Sequence, residues 1–486
     1  MEAINDDVLV YIFSFLEPPN ILAMRQTCRR MFAVSHLRIV WTNACNTHIL
    51  QKGYPFPEIP LEKLSVPKLE KRTCHAYLLA RKWLSEERGF RAKKFIDATS
   101  STSVSDVRFV PGREDLLLTI SKSIWSVITL WDVSAEPRKR CEWSPRGAIF
   151  NGFSLNSNPS SEATMAISIL KDGVQSVKIL SIRQRKNGEL MLENIFSVNT
   201  HFRPINLEGD LLALSDEVSQ IAIWNWRKGT YATLQHHVEE DAMFKGGRCI
   251  QVLFAPKCIL VIRARSIYLF SEPAMVYPED SESLIEHPIA QHSFGWVDGI
   301  SVVLTAPTDK SITSPSFTLL VRTESDDPWS AEEHTLDLYT LRPNLSFIPS
   351  DSHHVSFPLE GSSSIPYLFP PTLATHVQSR RGSLRCPTVM LGRSGTSVWI
   401  EPHDRNVDGL VWDDYYAAPI LSSDHAHEKL VAAVFPGPLN PYVRKEVVAR
   451  EILDNDLNNW TSLDYDEELG RIALGSSFGK VMILWL

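Results

Sequence analysis

Chemistry, if this chain performs any, has to come from a short set of residues. Gly475-Ser476-Ser477-Phe478-Gly479 fits G-x-S-x-G, the strained turn on which hydrolases raise a nucleophilic serine. That turn runs from a strand into a helix and is followed by an acid and then a histidine. Here both flanks alternate as strands do and only seven residues follow, so neither condition is met. A hairpin turn using glycine for its positive-φ positions is expected instead. His236-His237 and His353-His354 are adjacent pairs. On a strand, neighbours point to opposite faces, so neither pair offers two ligands to one metal, and solvated loop histidines are expected. No P-loop, dinucleotide-binding glycine fingerprint or H-E-x-x-H is present. The expectation is no catalytic residue, no metal site and no cofactor.

Cations are the other candidates. Arg138-Lys139-Arg140, Arg183 with Arg185-Lys186, and Arg380-Arg381 with Arg385 fall in polar gaps, where solvated loop charge is the ordinary reading and nuclear import or an anionic partner the sharper one. Lys122, Lys171, Arg265 and Arg393 are more specific, because each sits in or beside a tight turn between two apolar runs. Whether they act together depends on the elements that carry those turns.

From about residue 100 the apolar period is that of strands, with Gly, Pro, Ser, Asn and Asp in the gaps, so an all-β region is expected. One pattern recurs in it, apolar, any residue, apolar, then aromatic or Leu. It appears at Ile128 to Trp131, Val177 to Leu180, Ile221 to Trp224, Ile267 to Phe270, Leu336 to Tyr339, Thr396 to Trp399 and Met482 to Trp485. The intervals are 49, 44, 46, 69, 60 and 86 residues, the first three close to the 40–50 of a propeller blade. A second apolar run precedes each copy, such as Leu116 to Ile120 and Arg471 to Leu474, which makes each pair a hairpin. Seven four-stranded blades are the expected architecture, with six to eight compatible with the long last interval. The unit Val107 to Val133, with Trp131-Asp132 at the end of its third run, resembles a WD repeat. The other copies lack that pair, so the resemblance is to a degenerate WD-like propeller over residues 91–486. Val481 to Leu486 has the character of a third strand, and Ala92 to Ala98 is expected to supply the missing outer strand and close the ring.

The first thirty residues are helical in period. Val8, Leu9, Ile12, Phe13 and Leu16 lie along one helix that Asn5 or Asp6 would cap, and Pro18-Pro19 stops it. Asn20 is expected to cap a second helix carrying Ile21, Met24, Cys28, Met31 and Phe32, with Arg25, Arg29 and Arg30 in water. A third, around Leu37 and Trp41, is needed to bury both. This segment resembles an F-box. Ile12-Phe13-Ser14-Phe15-Leu16 matches the family's I-F-S-x-L core, Met24 to Arg30 matches its R-x-V-C-[RK] stretch, and Ile4-Asn5 stands where the family usually has Leu-Pro. The resemblance implies docking on a Skp-type adaptor, and through it a cullin, by Ile4, Asn5, Val8, Leu9, Ile12, Phe13, Leu16 and Trp41. Asn5 in place of proline is the main departure. In F-box proteins with WD propellers, arginines in the hairpin turns often read a phosphorylated degron, which gives Lys122, Lys171, Arg265 and Arg393 an expected role in substrate binding.

The fold class is therefore α plus all-β, with an F-box over residues 1–48, a connector over 49–90 and a propeller over 91–486. In the connector, prolines precede a helix from Pro67 to about Arg88 that would act as a spacer. At 486 residues, 44% hydrophobic and 22% charged, the composition is globular and too long for one ordinary domain. Residues 1–100 carry a net +5, which leaves −13 of the whole-chain −8 to the remainder and disfavours a broad nucleic-acid groove. Seven cysteines without a C-x-x-C, no basic leader and no long apolar run point to a reducing, cytoplasmic or nuclear setting away from membranes. The expected function is a non-catalytic substrate receptor of a Skp–cullin–F-box ubiquitin ligase that binds a protein substrate on the propeller. An F-box and propeller scaffold outside ubiquitination is the alternative.

Overall fold

A computed structural model describes residues 4–85, 89–99, 102–216, 218–237, 248–277, 285–305, 314–324, 334–347, 365–379, 384–402, 427–441 and 447–486. Five α-helices come first: α1 (Asp6–Ser14), α2 (Pro18–Arg25), α3 (Arg29–Ser35), α4 (Arg38–Cys45) and α5 (Val66–Leu84). Asn5 takes the N-cap position of α1 without a side-chain bond, and Asp6 and Asp7 fill its first turn. Pro18 and Pro19 do more than stop α1. They are the first residues of α2, where a missing amide costs nothing, so the cap position falls to Glu17 and Asn20 lies inside the helix. The expected second helix is two, α2 and α3. Thr27 Oγ1 turns back to the Met24 carbonyl at 2.8 Å, and Cys28 is extended.

The remaining described residues form seven antiparallel sheets, each a meander of four strands. Blades 1 to 6 span residues 104–143, 149–199, 203–235, 249–293, 296–379 and 389–455, and blade 7 spans 460–485. Blade 3 gains a short fifth strand, Ile285–Glu286, parallel to Thr230–Gln235. Second strands such as Leu116–Lys122 and Cys258–Arg263 are nearly continuously apolar and buried, as stacking on both faces requires. Ring closure is as the sequence implied: Ala92–Asp97 pairs antiparallel with Lys480–Trp485 across the whole of both strands, Ala92 opposite Trp485 and Asp97 opposite Lys480.

Six of the seven copies of the recurring pattern lie on third strands. The sixth does not. Thr396 to Trp399 belongs to the second strand of blade 6, after the short first strand Val389–Leu391, and the third strand is Glu428–Val434. The 86-residue interval thus contains this blade's own third and fourth strands.

Strand parity gives the ring two faces. In a meander, every turn between second and third strands lies at one end and the other turns lie at the opposite end. The helices occupy that opposite end, against blades 6, 7 and 1. Arg72 pairs with Glu114 in the first turn of blade 1. The His75 ring meets the Leu469 carbonyl at 3.2 Å, Glu58 pairs with Arg393, and Gly53 lies against Pro438. One side of α5 (Leu69, Ala76, Tyr77) is buried with the F-box helices, while Leu79, Ala80 and Trp83 are buried with Leu430, Tyr465, Ile472 and Leu484 of the propeller. A single helix is therefore common to two cores.

Candidate functional site

Two surfaces emerge, one on the helices and one on the open face of the ring. The helical one begins with α1, whose apolar residues divide into two sets. Leu9 and Phe13 point inward with Ile21, Val34, Val40 and Trp41, and Leu16 is partly buried beside them. Val8, Tyr11, Ile12 and Phe15, at spacings of three and four, form an exposed stripe, with Tyr11 and Phe15 in edge-to-face contact at 4.9 Å. Phe32 on α3, Ile39 on α4 and Ile4 beside Asn5 are exposed as well. Three of the residues expected at an adaptor interface, Leu9, Phe13 and Trp41, lie inside this domain. A side chain with 0–2% exposure shapes a surface and cannot touch a partner.

Arg25 is the polar keystone. Its guanidinium forks onto both Glu70 carboxylate oxygens at 2.8 Å, donates from Nε to Ser35 Oγ at 2.9 Å, and lies 5.7 Å from the Trp41 ring centre. Trp41 in turn donates its indole N–H to the Ser35 carbonyl at 2.8 Å. The expectation that Arg25 stays in water is corrected: a fork fitting Glu70 on α5 holds it, while Arg30 pairs with Asp6 on the surface. Arg29 is exposed.

On the ring, the four expected substrate-binding cations part company. Lys122, Lys171 and Arg265 lie at turns between second and third strands and share the open face, the first two exposed and Arg265 half-buried. Arg393 lies at a turn between first and second strands, on the helical face, paired with Glu58. Its assignment followed from counting the sixth hairpin one strand late. The set of four therefore does not converge.

Three cations that the sequence reading missed, Arg263 and Arg322 buried and Arg108 half-buried, are structural. Arg263 of blade 4 donates to the Val218 carbonyl of blade 3 at 3.0 Å and approaches Asp216 at 3.8 Å. Arg322 of blade 5 donates to the Ile400 carbonyl of blade 6 at 3.1 Å. Arg108 of blade 1 donates to the Leu463 carbonyl of blade 7 at 2.9 Å, and Asp464 accepts from the Phe109 amide at 2.7 Å. Burial pushes the Asp464 carboxyl up, opposed by the Arg108 charge. A usable signal was there: each arginine follows an apolar residue inside or at the end of a strand, as in Ile262-Arg263 and Val321-Arg322.

The remaining candidates resolve plainly. Gly475 lies in a strand, and Ser477, Phe478 and Gly479 make the hairpin turn, Gly479 at φ +75° with Ser477 N–H donating to the Asn459 carbonyl. His236 is not a solvated loop residue. It is buried, its Nδ1 donates to the Ser219 carbonyl at 3.0 Å, its ring lies on Tyr268, and burial brings its pKa down to about 4. His237 is exposed. His353, His354, Arg380 and Arg381 lie outside the described residues, and Arg385 is exposed. Arg138, Lys139 and Arg140 form part of the outer strand of blade 1, with Lys139 paired to Glu142 and Arg140 to Asp132. Arg183 pairs with Glu162 and Glu193, and Arg185 with Glu189. Lys186 is exposed. Among the described residues no group of three His, Cys, Asp or Glu side chains is placed to hold a metal ion, and no helix is long and apolar enough to cross a membrane.

Trp131, in the one copy with a Trp-Asp pair, donates its indole N–H to Thr119 Oγ1 at 3.0 Å on the neighbouring strand. No curated protein matches the chain. Residues 6–47, which span α1 to α4, match the family described as F-box-like, so the chain carries an F-box-like domain at its N-terminal end joined to a seven-bladed β-propeller.

Proposed function

We propose that this protein is the substrate-recognition subunit of a Skp–cullin–F-box ubiquitin ligase, non-catalytic in itself, with α1 docking the Skp-type adaptor and the propeller holding a protein substrate. The observation that carries the reading is the exposed stripe Val8, Tyr11, Ile12 and Phe15, on a helix whose other face is already buried. Folding leaves these side chains in water, and an F-box-like segment is one that meets an adaptor. The adaptor contacts in this reading are Ile4, Asn5 and the stripe Val8, Tyr11, Ile12 and Phe15. Leu9, Phe13, Leu16 and Trp41 hold them in place. The work of the chain is then proximity, since a cargo on the propeller is presented at an orientation fixed by α5.

The test is co-purification of the full chain with adaptor and cullin. Replacing Val8 and Phe15 together by Asp should weaken adaptor binding about 100-fold, because each large apolar side chain contributes about 1.5–3 kcal/mol when buried. The melting temperature should hold, since both residues are exposed. Unchanged adaptor binding would overturn the docking face. Adaptor bound without cullin would favour a scaffold outside ubiquitination.

A further inference from the structure

Accepting the propeller as the recognition module leaves open which part of it meets a partner and what that partner is made of. The turns between second and third strands answer both. Their tips on successive blades are Phe478 on blade 7, Ile124 and Trp125 on blade 1, Val174 on blade 2 and Val218 on blade 3, exposed to 60, 84, 39, 55 and 56%. Ile149, the first residue of blade 2, adds to them on the same face. These blades are consecutive neighbours: Thr461 Oγ1 bonds to the Val104 carbonyl, the Phe150 amide donates to Ser126 Oγ at 3.0 Å, and the Ser157 amide to the Leu207 carbonyl at 3.0 Å. The apolar tips thus form one arc over half the ring. Blade 4 presents Ala264 and Arg265 at the same place, and the turns of blades 5 and 6 lie outside the described residues.

The turns do not need these residues to form. Positive φ is carried by Asp172 and Gly173 in blade 2 and by Gly479 in blade 7. In blade 3, Asp216 Oδ1 accepts the amides of Val218, Ser219 and Gln220 at 3.1, 2.9 and 2.8 Å. In blades 2, 3 and 7 glycine or aspartate makes the turn, and the apolar residue is left in water.

Charge identifies the occupant. Residues 101–486 are strongly acidic, yet the arc is flanked by Lys122, Arg146, Lys171 and Lys480, all exposed. Arg146 and Lys171 stand in no ion pair among the described residues, and Lys480 reaches Asp97 only at 4.0 Å. Of the described acids at these turns, Asp216 is spent on its own turn, Asp97 lies beside Lys480 and Asp172 is exposed next to Lys171, which leaves the cations in excess. Phosphate recognition calls for converging guanidinium forks, and three of these four cations are lysines. We infer that the arc over blades 7, 1, 2 and 3 receives a partner segment bearing several large apolar side chains flanked by carboxylates, an acidic and apolar stretch of a protein substrate.

The inference rests on the propeller being the recognition module, and its test separates the two. The full chain is used to select from a displayed library of random 12-residue peptides, and a phosphoserine peptide without apolar residues is measured beside the enriched sequences. Enrichment of peptides combining Leu, Phe or Trp with Asp and Glu is expected. Ile124→Asp with Val174→Asp should weaken them at least ten-fold, as should Lys122→Glu with Lys171→Glu, with unchanged melting temperature and adaptor binding. Enrichment of basic peptides, equal binding by the variants, or preference for the phosphoserine peptide would overturn the inference. So would self-association of the wild-type chain that Ile124→Asp with Val174→Asp abolishes, which would assign the arc to a second copy. Peptide results as expected in a chain that binds no adaptor would sustain the arc and sink the ligase reading.

Discussion

Asn5 concentrates the residue-scale question, because it holds the position where F-box sequences usually carry proline. Its φ of −64° and ψ of 152° are values that proline adopts without strain, and its side chain caps nothing. Asn5→Pro therefore removes freedom from the unfolded chain at no structural cost and should stabilise the helical domain by about 0.4–1 kcal/mol in urea titrations, while tightening adaptor binding. A loss of stability would show that the Asn5 amide or the preceding Ile4 needs a conformation that proline forbids. At this scale the sequence marked α1 as a helix but not which of its residues face out. Val8 and Leu9, or Ile12 and Phe13, are equally apolar, and periodicity cannot tell a buried flank from an exposed one when both are hydrophobic. Arg25 was unreadable for a different reason, since its partner Glu70 lies 45 positions away on a helix whose docking side only the fold decides.

At the scale of elements, α5 is the piece on which the geometry turns. The helix approaches blade 7 so closely that a Cβ on Gly470 would lie 2.5 Å from Leu79 Cδ1, and Gly470 has φ +61°. Gly470→Ala adds both a clash and a left-handed alanine, and should cost about 1–3 kcal/mol in global unfolding. Leu79→Ala in the same chain should return the steric part and leave the backbone part, so a double-mutant cycle is expected to give a coupling of about 0.5–3 kcal/mol. Additive effects would mean that helix and blade are not in contact. The helical spacing of Ala76, Ala80, Trp83 and their neighbours made α5 legible as a helix packed on a side. That it is buried on two sides shows only when Leu69 and Tyr77 are seen in one core and Leu79 and Trp83 in the other. The strands were legible where the intervals were regular. In blade 6 a three-residue first strand and a long insertion moved the count by one strand, and with it Arg393 to the wrong face.

For the whole molecule, the closure between Ala92–Asp97 and Lys480–Trp485 decides whether the ring is a ring. Ile96 is buried there beside Val481 and Ile483. Deleting residues 90–98 should leave the edge of blade 7 unpaired and produce aggregation or a broad, non-cooperative thermal transition, followed by light scattering and calorimetry. A monomeric protein with a single sharp transition would argue against closure by this strand. This feature was readable because a third-type strand near residue 486 and an orphan strand before the first blade leave each other as the only economical partners. Closure also imposes an order of events during synthesis. Ala92–Asp97 leaves the ribosome soon after the F-box-like helices and then waits, an unpaired edge, until every other blade has been made. A ribosome that stops early therefore releases a chain with its F-box-like helices and an open propeller; under the proposed function, such a fragment would occupy adaptor without delivering a cargo to it.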